Sequence, residues 1–296
     1  SAVSGKVGER VSGDRPANAV PSHSPTHPLT RSRLSEERQS LLTSAATTSL
    51  RLPDLPSLDL VSLLTNRNAW LVRKARRVLA DRRDPQVVAP LRKLVLESAD
   101  DQVALESLWA LYVSGGFDER FAEKLLVHQS SRVRRWAVRF LGDEGSVFPQ
   151  TARLLLKLAQ IESAVRVRSQ LASTAKRLPA EVGLPIAYQI LLRNLDAHDT
   201  HLPLLLWWVV EHHAVTAVDQ CVELFASPAG WQAPMIRDVI LERLMRRSAA
   251  EGTEATLMAC AHLLASAPGD GERNRMLAAL DQGLQDRPTD GAGKNL

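Results

Sequence analysis

The chain has 296 residues, of which 45% are apolar and 24% are charged. This composition supplies enough apolar side chains for a large core and excludes a wholly disordered chain. Lysine and arginine number 37 against 33 aspartates and glutamates, so the formal net charge of +4 is far below that of a nucleic-acid coat protein. We expect no membrane span, because no run of about 18 uncharged apolar residues occurs, and residues 1–30 lack the apolar core of a signal peptide.

The two ends of the chain differ in composition from the rest. Residues 1–57 are rich in Pro, Ser and Thr and have no long apolar run, so we expect a disordered tail or linker there. A short helix from Ser35 to Ser44 is the one element that this segment favours, because a Ser-Glu-Glu sequence precedes two leucines. Residues 287–296 are also predicted to be disordered.

Residues 58–286 have the pattern of helices of about 10 to 15 residues with short breaks between them. The breaks are predicted at Asp84-Pro85, Gly115-Gly116, Gly142 to Gly145, Pro179 and Pro228 to Gly230. Strand-like alternation is not sustained anywhere, so the sequence predicts an all-α fold.

An apolar triplet at positions i, i+4 and i+8 recurs on every second predicted helix, at intervals of 30 to 40 residues. The triplets are Leu71/Ala75/Leu79, Val103/Ser107/Leu111, Val133/Ala137/Leu141, Val167/Leu171/Ala175, Leu202/Leu206/Val210, Ile236/Ile240/Leu244 and Met276/Leu280/Leu284. Such a period is typical of stacked helical hairpins, each of which covers the apolar stripe of the next. Arginine follows the first triplet position three times, as in HEAT repeats, and the tetratricopeptide pattern is absent. The predicted fold is therefore a HEAT/armadillo-like α-solenoid of about seven hairpins.

Three segments carry a more specific resemblance. They are LVSLLTNRNAWLVRKARRVLADRRD at 60–84, ALESLWALYVSGGFDERFAEKLLVHQSSRVRRWAVRFLG at 104–142 and HLPLLLWWVVE at 201–211. Together they resemble the helical-repeat region of the PVC-type membrane-bound dehydrogenase family, whose members are also described as haem-binding proteins. In that family a sugar-dehydrogenase-like β-propeller precedes the repeats, and a cytochrome c domain with Cys-x-x-Cys-His follows them.

The resemblance implies a scaffold role within an exported, periplasmic redox protein. This chain contains neither the propeller nor a Cys-x-x-Cys-His sequence, so no catalytic or haem-binding residue can be carried over to it. We therefore expect no cofactor in this chain, no enzymatic activity of its own, and a partner that is a protein or a flanking domain of the same polypeptide.

Histidines and tryptophans form the densest group of chemically distinctive residues, between positions 196 and 213. The histidines are His198, His201, His212 and His213. About ten residues of helix would separate the two histidine pairs by about 15 Å, so we favour helix capping over a shared metal ion. Trp207 and Trp208 follow three leucines, and we interpret them as core residues rather than the wall of a groove, since adjacent helical residues point about 100° apart.

Arginine and lysine clusters on the second helices are the strongest functional lead after the repeat. We predict that exposed arginines there contact the partner, chiefly Arg73, Arg76, Arg134, Arg135 and Arg168. A basic stripe on a concave face could instead bind a nucleic-acid backbone, but the near balance of charges argues against that alternative. Such arginines also commonly tie adjacent hairpins together through carboxylates and helix C-terminal carbonyls.

The two cysteines, Cys221 and Cys260, lie on the first helices of neighbouring predicted hairpins. They could lie close in space, and a disulfide would suit an exported protein. Buried free thiols are nevertheless the commoner state for isolated cysteines on helices. No catalytic triad spacing and no glycine-rich phosphate loop is present.

Overall fold

The computed structural model describes residues 51–287. The helix predicted between Ser35 and Ser44, and most of the two predicted tails, lie outside this described part. Within it the chain is all-helical, with 15 α-helices and no strand, so the predicted all-α class is confirmed.

The helices are short and follow one another closely. Their bounds are α1 Ser57–Ser62, α2 Ala69–Arg82, α3 Val88–Glu97, α4 Asp101–Val113, α5 Glu119–Leu125, α6 Ser131–Leu141, α7 Pro149–Ile161, α8 Val165–Ala175, α9 Ala180–Leu192, α10 Leu202–His213, α11 Val218–Phe225, α12 Pro228–Gln232, α13 Glu242–Glu251, α14 Glu254–Ser266 and α15 Asp270–Gln285. Three 3-10 turns, Leu52–Asp54, Leu63–Thr65 and Pro85–Val87, and a π-helical segment, Ile236–Leu241, complete the described elements.

Helix ends coincide with four of the five breaks that the sequence predicts. The fifth, Pro228 to Gly230, belongs instead to the short helix α12. Helix α2 stops before Arg83, which adopts the left-handed conformation (φ 48°), and the Asp84 carboxylate then accepts a hydrogen bond that caps the next 3-10 turn. Helix α4 is followed by Gly115 at φ 77°, a conformation that glycine adopts without steric cost. Pro179 immediately precedes α9, where a missing amide hydrogen is harmless.

The helical unit extends further at both ends than the sequence indicates. Leu52 is buried, and Arg82 of α2 donates a hydrogen bond of 2.7 Å to the Leu55 carbonyl, so the chain joins the helices from Leu52 onward. At the other end, Arg287 donates a hydrogen bond of 2.8 Å to the Ala249 carbonyl. The described helical unit therefore begins at Leu52 and includes Arg287, so it extends past the predicted bounds of 58–286 at both ends.

The helices pack in two rows. In row one, each helix contacts the next in the order α2, α4, α6, α8, α10, the π-helical segment with α13, and α15. In row two, the order of contact is α5, α7, α9, α11 and α14. None of the described helices combines the length and the apolar character needed to cross a bilayer.

The core lies between the two rows. The triplets predicted on α2, α6, α8, α10 and the π-helical segment with α13 are buried at every position. The last triplet is buried only in part, since Leu284 is 43% exposed and α15 instead buries Met276, Ala279 and Gly283.

Candidate interaction surfaces

Arg168 of α8 is enclosed by the protein rather than exposed. Its side chain donates to the two carboxylate oxygens of Asp196 at 2.7 and 2.5 Å, and to the carbonyls of Glu162 and Ser163 at 3.1 and 2.7 Å. The hydrogen bond with Asp196 raises the pKa of Arg168 above its ordinary value. The expectation that Arg168 is an exposed contact residue is wrong, because the turn before α10 presents a carboxylate that fits its guanidinium.

Arg134 of α6 makes the same kind of connection one helix earlier in row one. Its guanidinium binds both carboxylate oxygens of Glu162 at 2.7 and 2.8 Å, and also donates to the carbonyls of His128 and Gln129. Burial by itself would raise the pKa of Glu162, but the hydrogen bonds from Arg134 and from the Ala164 amide outweigh it and hold that pKa below its ordinary value. Only 16% of the Arg134 side chain is exposed.

Arg76 of α2 is the third arginine of this kind. It forms an ion pair with Glu106 of α4, and its guanidinium lies 5.1 Å from the ring centre of Trp109. Each of the three arginines binds a carboxylate 28 to 30 residues further along the chain. These three arginines therefore connect successive parts of row one. Their guanidinium groups already pair with carboxylates of the chain and are less available to a partner.

Six exposed or half-buried cations on α2, α6 and α8 make no ion pair within residues 51–287, and we call them the row-one cations. They are Arg73, Lys74, Arg77, Arg132, Arg135 and Arg166. Within residues 51–287, Arg73, Arg77 and Arg166 have no ion pair, Lys74 lies 5.8 Å from the Trp70 ring centre, and Arg135 lies 5.9 Å from that of Trp136. Two of the five predicted contact residues, Arg73 and Arg135, thus belong to this set.

Tryptophans line the same row. Trp109 of α4 and Trp136 of α6 meet edge to face with ring centres 5.2 Å apart, and both are half-buried. Trp207 is buried, in agreement with a core role, whereas Trp208 is 40% exposed and lies under the ammonium group of Lys176. A row that alternates guanidinium groups with indole rings suits contact with a polar surface.

The histidines do not converge. Asp199 caps α10 by accepting hydrogen bonds from the amides of His201 and Leu202 at 2.9 and 2.8 Å, which is the capping role expected of this turn. His213 is buried at the other end of α10, and burial holds its pKa below the ordinary value. Across residues 51–287 no group of three or more His, Cys, Asp or Glu side chains could hold a metal ion.

Both cysteines are buried free thiols. Cys221 lies on α11 and Cys260 on α14, and these two helices are in contact. Burial raises the pKa of Cys221 to about 12, so its thiol stays protonated at neutral pH. A protonated buried thiol is a weak nucleophile and a poor metal ligand.

A cavity of 360 Å³ lies where the carboxyl ends of α4 and α6 meet the loops that follow them. Its aromatic lining consists of Tyr112, Phe117, Phe140 and Phe148. The rings of Tyr112 and Phe140 are stacked at 3.7 Å, and Phe117 meets Phe140 edge to face at 5.3 Å. Phe148 is 59% exposed. We call this feature the aromatic cavity.

All charged residues that line the aromatic cavity are acidic: Asp118, Glu119 and Glu144. Asp118 accepts hydrogen bonds from Arg92 and from the Phe121 amide. Burial by itself would raise the pKa of Asp118, but these hydrogen bonds outweigh it and hold that pKa below its ordinary value. One oxygen of Glu119 accepts a hydrogen bond from the Phe148 amide at 2.6 Å. Glu144 is exposed and has no ion pair among the described residues.

Sequence reasoning missed this cavity, although a signal for it was present. Five of the seven Phe and Tyr residues of the chain fall between positions 112 and 148, in a sequence that is otherwise poor in aromatic residues. Comparison with known proteins adds no family to these observations: no protein-family model matches the chain, and no curated protein sequence matches it.

Proposed function

We propose that the chain is a non-catalytic scaffold of the HEAT/armadillo-like solenoid type, which holds a protein partner or flanking domains of the same polypeptide. The observation that carries the proposal is the alternate packing of helices in two rows, with arginine–carboxylate pairs along row one. In a solenoid each hairpin contacts only its neighbours, and the stack presents a long surface for binding. Arg76, Arg134 and Arg168 would then stiffen the stack.

The row-one cations are the part of this surface that we assign to the partner. Arg73, Arg77 and Arg166 are exposed and carry no ion pair within the described chain, so they can meet carboxylates of another protein without first breaking an internal contact. Arginine and tryptophan are the residue types enriched where protein interfaces gain most of their binding free energy. A protein with an acidic surface is therefore the partner that this row suits best.

A photo-crosslinking experiment tests the proposal. A photoreactive benzoylphenylalanine in place of Arg77 is expected to capture a discrete protein from an extract of the source cells, and Arg73→Glu in the same chain should abolish that product. His262, exposed on α14 in row two, is the matched control position. Equal products from both positions, or a product that disappears after nuclease treatment, would contradict a protein partner on row one. The second result would favour nucleic acid.

The cellular setting is a separate part of the proposal. The resemblance of segments 60–84, 104–142 and 201–211 to PVC-type membrane-bound dehydrogenases leads us to propose that the chain is the helical region of such an exported protein. These segments contain α2, α5, α6 and most of α4 and α10, which belong largely to row one. Translation of the DNA on both sides in frame tests this: a propeller upstream and a Cys-x-x-Cys-His domain downstream are expected, and unrelated flanking sequences would refute it.

A further inference from the structure

We propose that the aromatic cavity binds a lysine or arginine side chain of a protein partner. This site is distinct from the row-one cations. It would bind a positively charged group, whereas the row-one cations would bind carboxylates. It does not depend on the function proposed above, because its ligand is defined by the residues that line the cavity.

The aromatic rings supply the first part of the recognition. Tyr112 and Phe117 are half-buried, and Phe148 is largely exposed, so the cavity has aromatic walls that solvent reaches. The negative face of an aromatic ring attracts an ammonium or guanidinium group within about 6 Å. The aliphatic part of a basic side chain packs against such rings at the same time.

The carboxylates supply the second part. Three of the lining residues are acidic and none is basic, in a chain whose formal net charge is +4. Arg92 neutralises Asp118, but Glu144 has no ion pair within residues 51–287, and the second oxygen of Glu119 accepts no side-chain hydrogen bond there. An incoming cation would therefore meet unneutralised carboxylate charge beside aromatic rings.

The size and the lining of the cavity suit a single basic side chain. Pockets for whole small molecules range from about 300 to 1,000 Å³, so 360 Å³ is at the small end and suits a single side chain. Phe148 and the neighbouring Val147 also line the cavity and offer an apolar surface to the residues that flank a basic side chain.

Titration of the ¹⁵N-labelled full chain with three probes tests this inference by NMR. The probes are acetyl-Ala-Lys-Ala-amide, the same peptide with norleucine in place of lysine, and n-butylammonium. We expect the lysine peptide to shift the amide signals of Gly145 and Ser146 and to bind about tenfold more tightly than the norleucine peptide, which has a similar shape without charge. We also expect it to bind more tightly than n-butylammonium, which lacks a backbone.

Two variants link the binding to the cavity. Glu144→Gln and Phe148→Ala change exposed side chains, and each is expected to weaken binding of the lysine peptide at least about threefold. Glu223→Gln, an exposed glutamate on α11, is the matched control and should leave binding unchanged. Equal binding of the lysine and norleucine peptides, or no effect of Glu144→Gln, would overturn the proposal. Binding of n-butylammonium as tight as that of the peptide would assign the site to a free organic cation and so overturn a protein ligand.

Discussion

At the scale of single residues, neighbouring arginines lie in opposite environments, one exposed and one buried. Arg166 and Arg168 are two positions apart on α8, which places their side chains about 200° apart around the helix. Arg168 shares a face with Leu171 and Ala172, both in the core, and is buried with them. A guanidinium in that position requires a carboxylate in bidentate geometry, because its five donors cannot reach water. Asp196 provides that carboxylate.

The sequence contains enough information to separate these two arginines. An apolar residue three or four positions after an arginine indicates that the arginine lies on the buried stripe of its helix. Arg168 meets that condition, whereas Arg166 is followed at those positions by Ser169 and Gln170. The same spacing does not identify the carboxylate that pairs with Arg168. Asp196 lies in the turn before another helix, and only the packing of α8 against α10 brings it close.

Removal of the buried arginine should cost the protein much of its stability. Arg168→Ala leaves Asp196 charged and enclosed, and we expect a loss of about 3 to 5 kcal/mol in the free energy of unfolding, measured by urea denaturation. Arg166→Ala on the same helix is the control and should change that free energy by less than about 0.5 kcal/mol. The double variant Arg168→Met with Asp196→Leu should recover much of the loss. Equal effects of the two single variants would show that the ion pair is not buried in solution.

At the scale of elements, close approach of helices depends on small residues. Gly283 of α15 lies against α13, where a methyl group at position 283 would lie 2.6 Å from the Cβ atom of Ala249 and would meet the Arg246 carbonyl. The two helices can pack at this separation only while position 283 has no side chain. The helical period alone did not single out this glycine, because the triplet predicted for α15 assigned burial to Leu284 instead.

An alanine scan of two glycines on α15 tests this contact. Gly283→Ala should lower the free energy of unfolding by about 1 to 3 kcal/mol, since a tightly packed site must open to admit the methyl group. Gly271→Ala is the matched control, because nothing lies within 4 Å of its added methyl group. That substitution should raise the free energy by up to about 1 kcal/mol through helix propensity. A stabilising effect of Gly283→Ala would mean that α15 is not packed on α13.

At the scale of the whole molecule, some features follow from the sequence period and others do not. The all-α class and the buried positions of alternate helices follow from apolar residues at i, i+4 and i+8, since that spacing repeats one face of a helix. The aromatic cavity does not, because Tyr112 and Phe140 come from two helices 28 residues apart and meet only when α4 packs on α6. The π-helical segment Ile236–Leu241 was also unforeseen, although Ile236 and Ile240 are buried as the triplet predicts.

The row packing leads to a prediction about how far the effect of a destabilising substitution extends along the molecule. Leu79 of α2 is fully buried, and Leu79→Ala should cost about 2 to 5 kcal/mol of local stability by opening a cavity. If each helix is stabilised only by its neighbours, amide hydrogen exchange followed by mass spectrometry should speed up in α1 to α4 and stay unchanged in α10 to α15. Leu96→Ala, at a position 42% exposed on α3, is the control and should leave exchange nearly unchanged throughout. A uniform rise in exchange from α1 to α15 would contradict a nearest-neighbour stack, because it would show that the described helices unfold as a single cooperative unit.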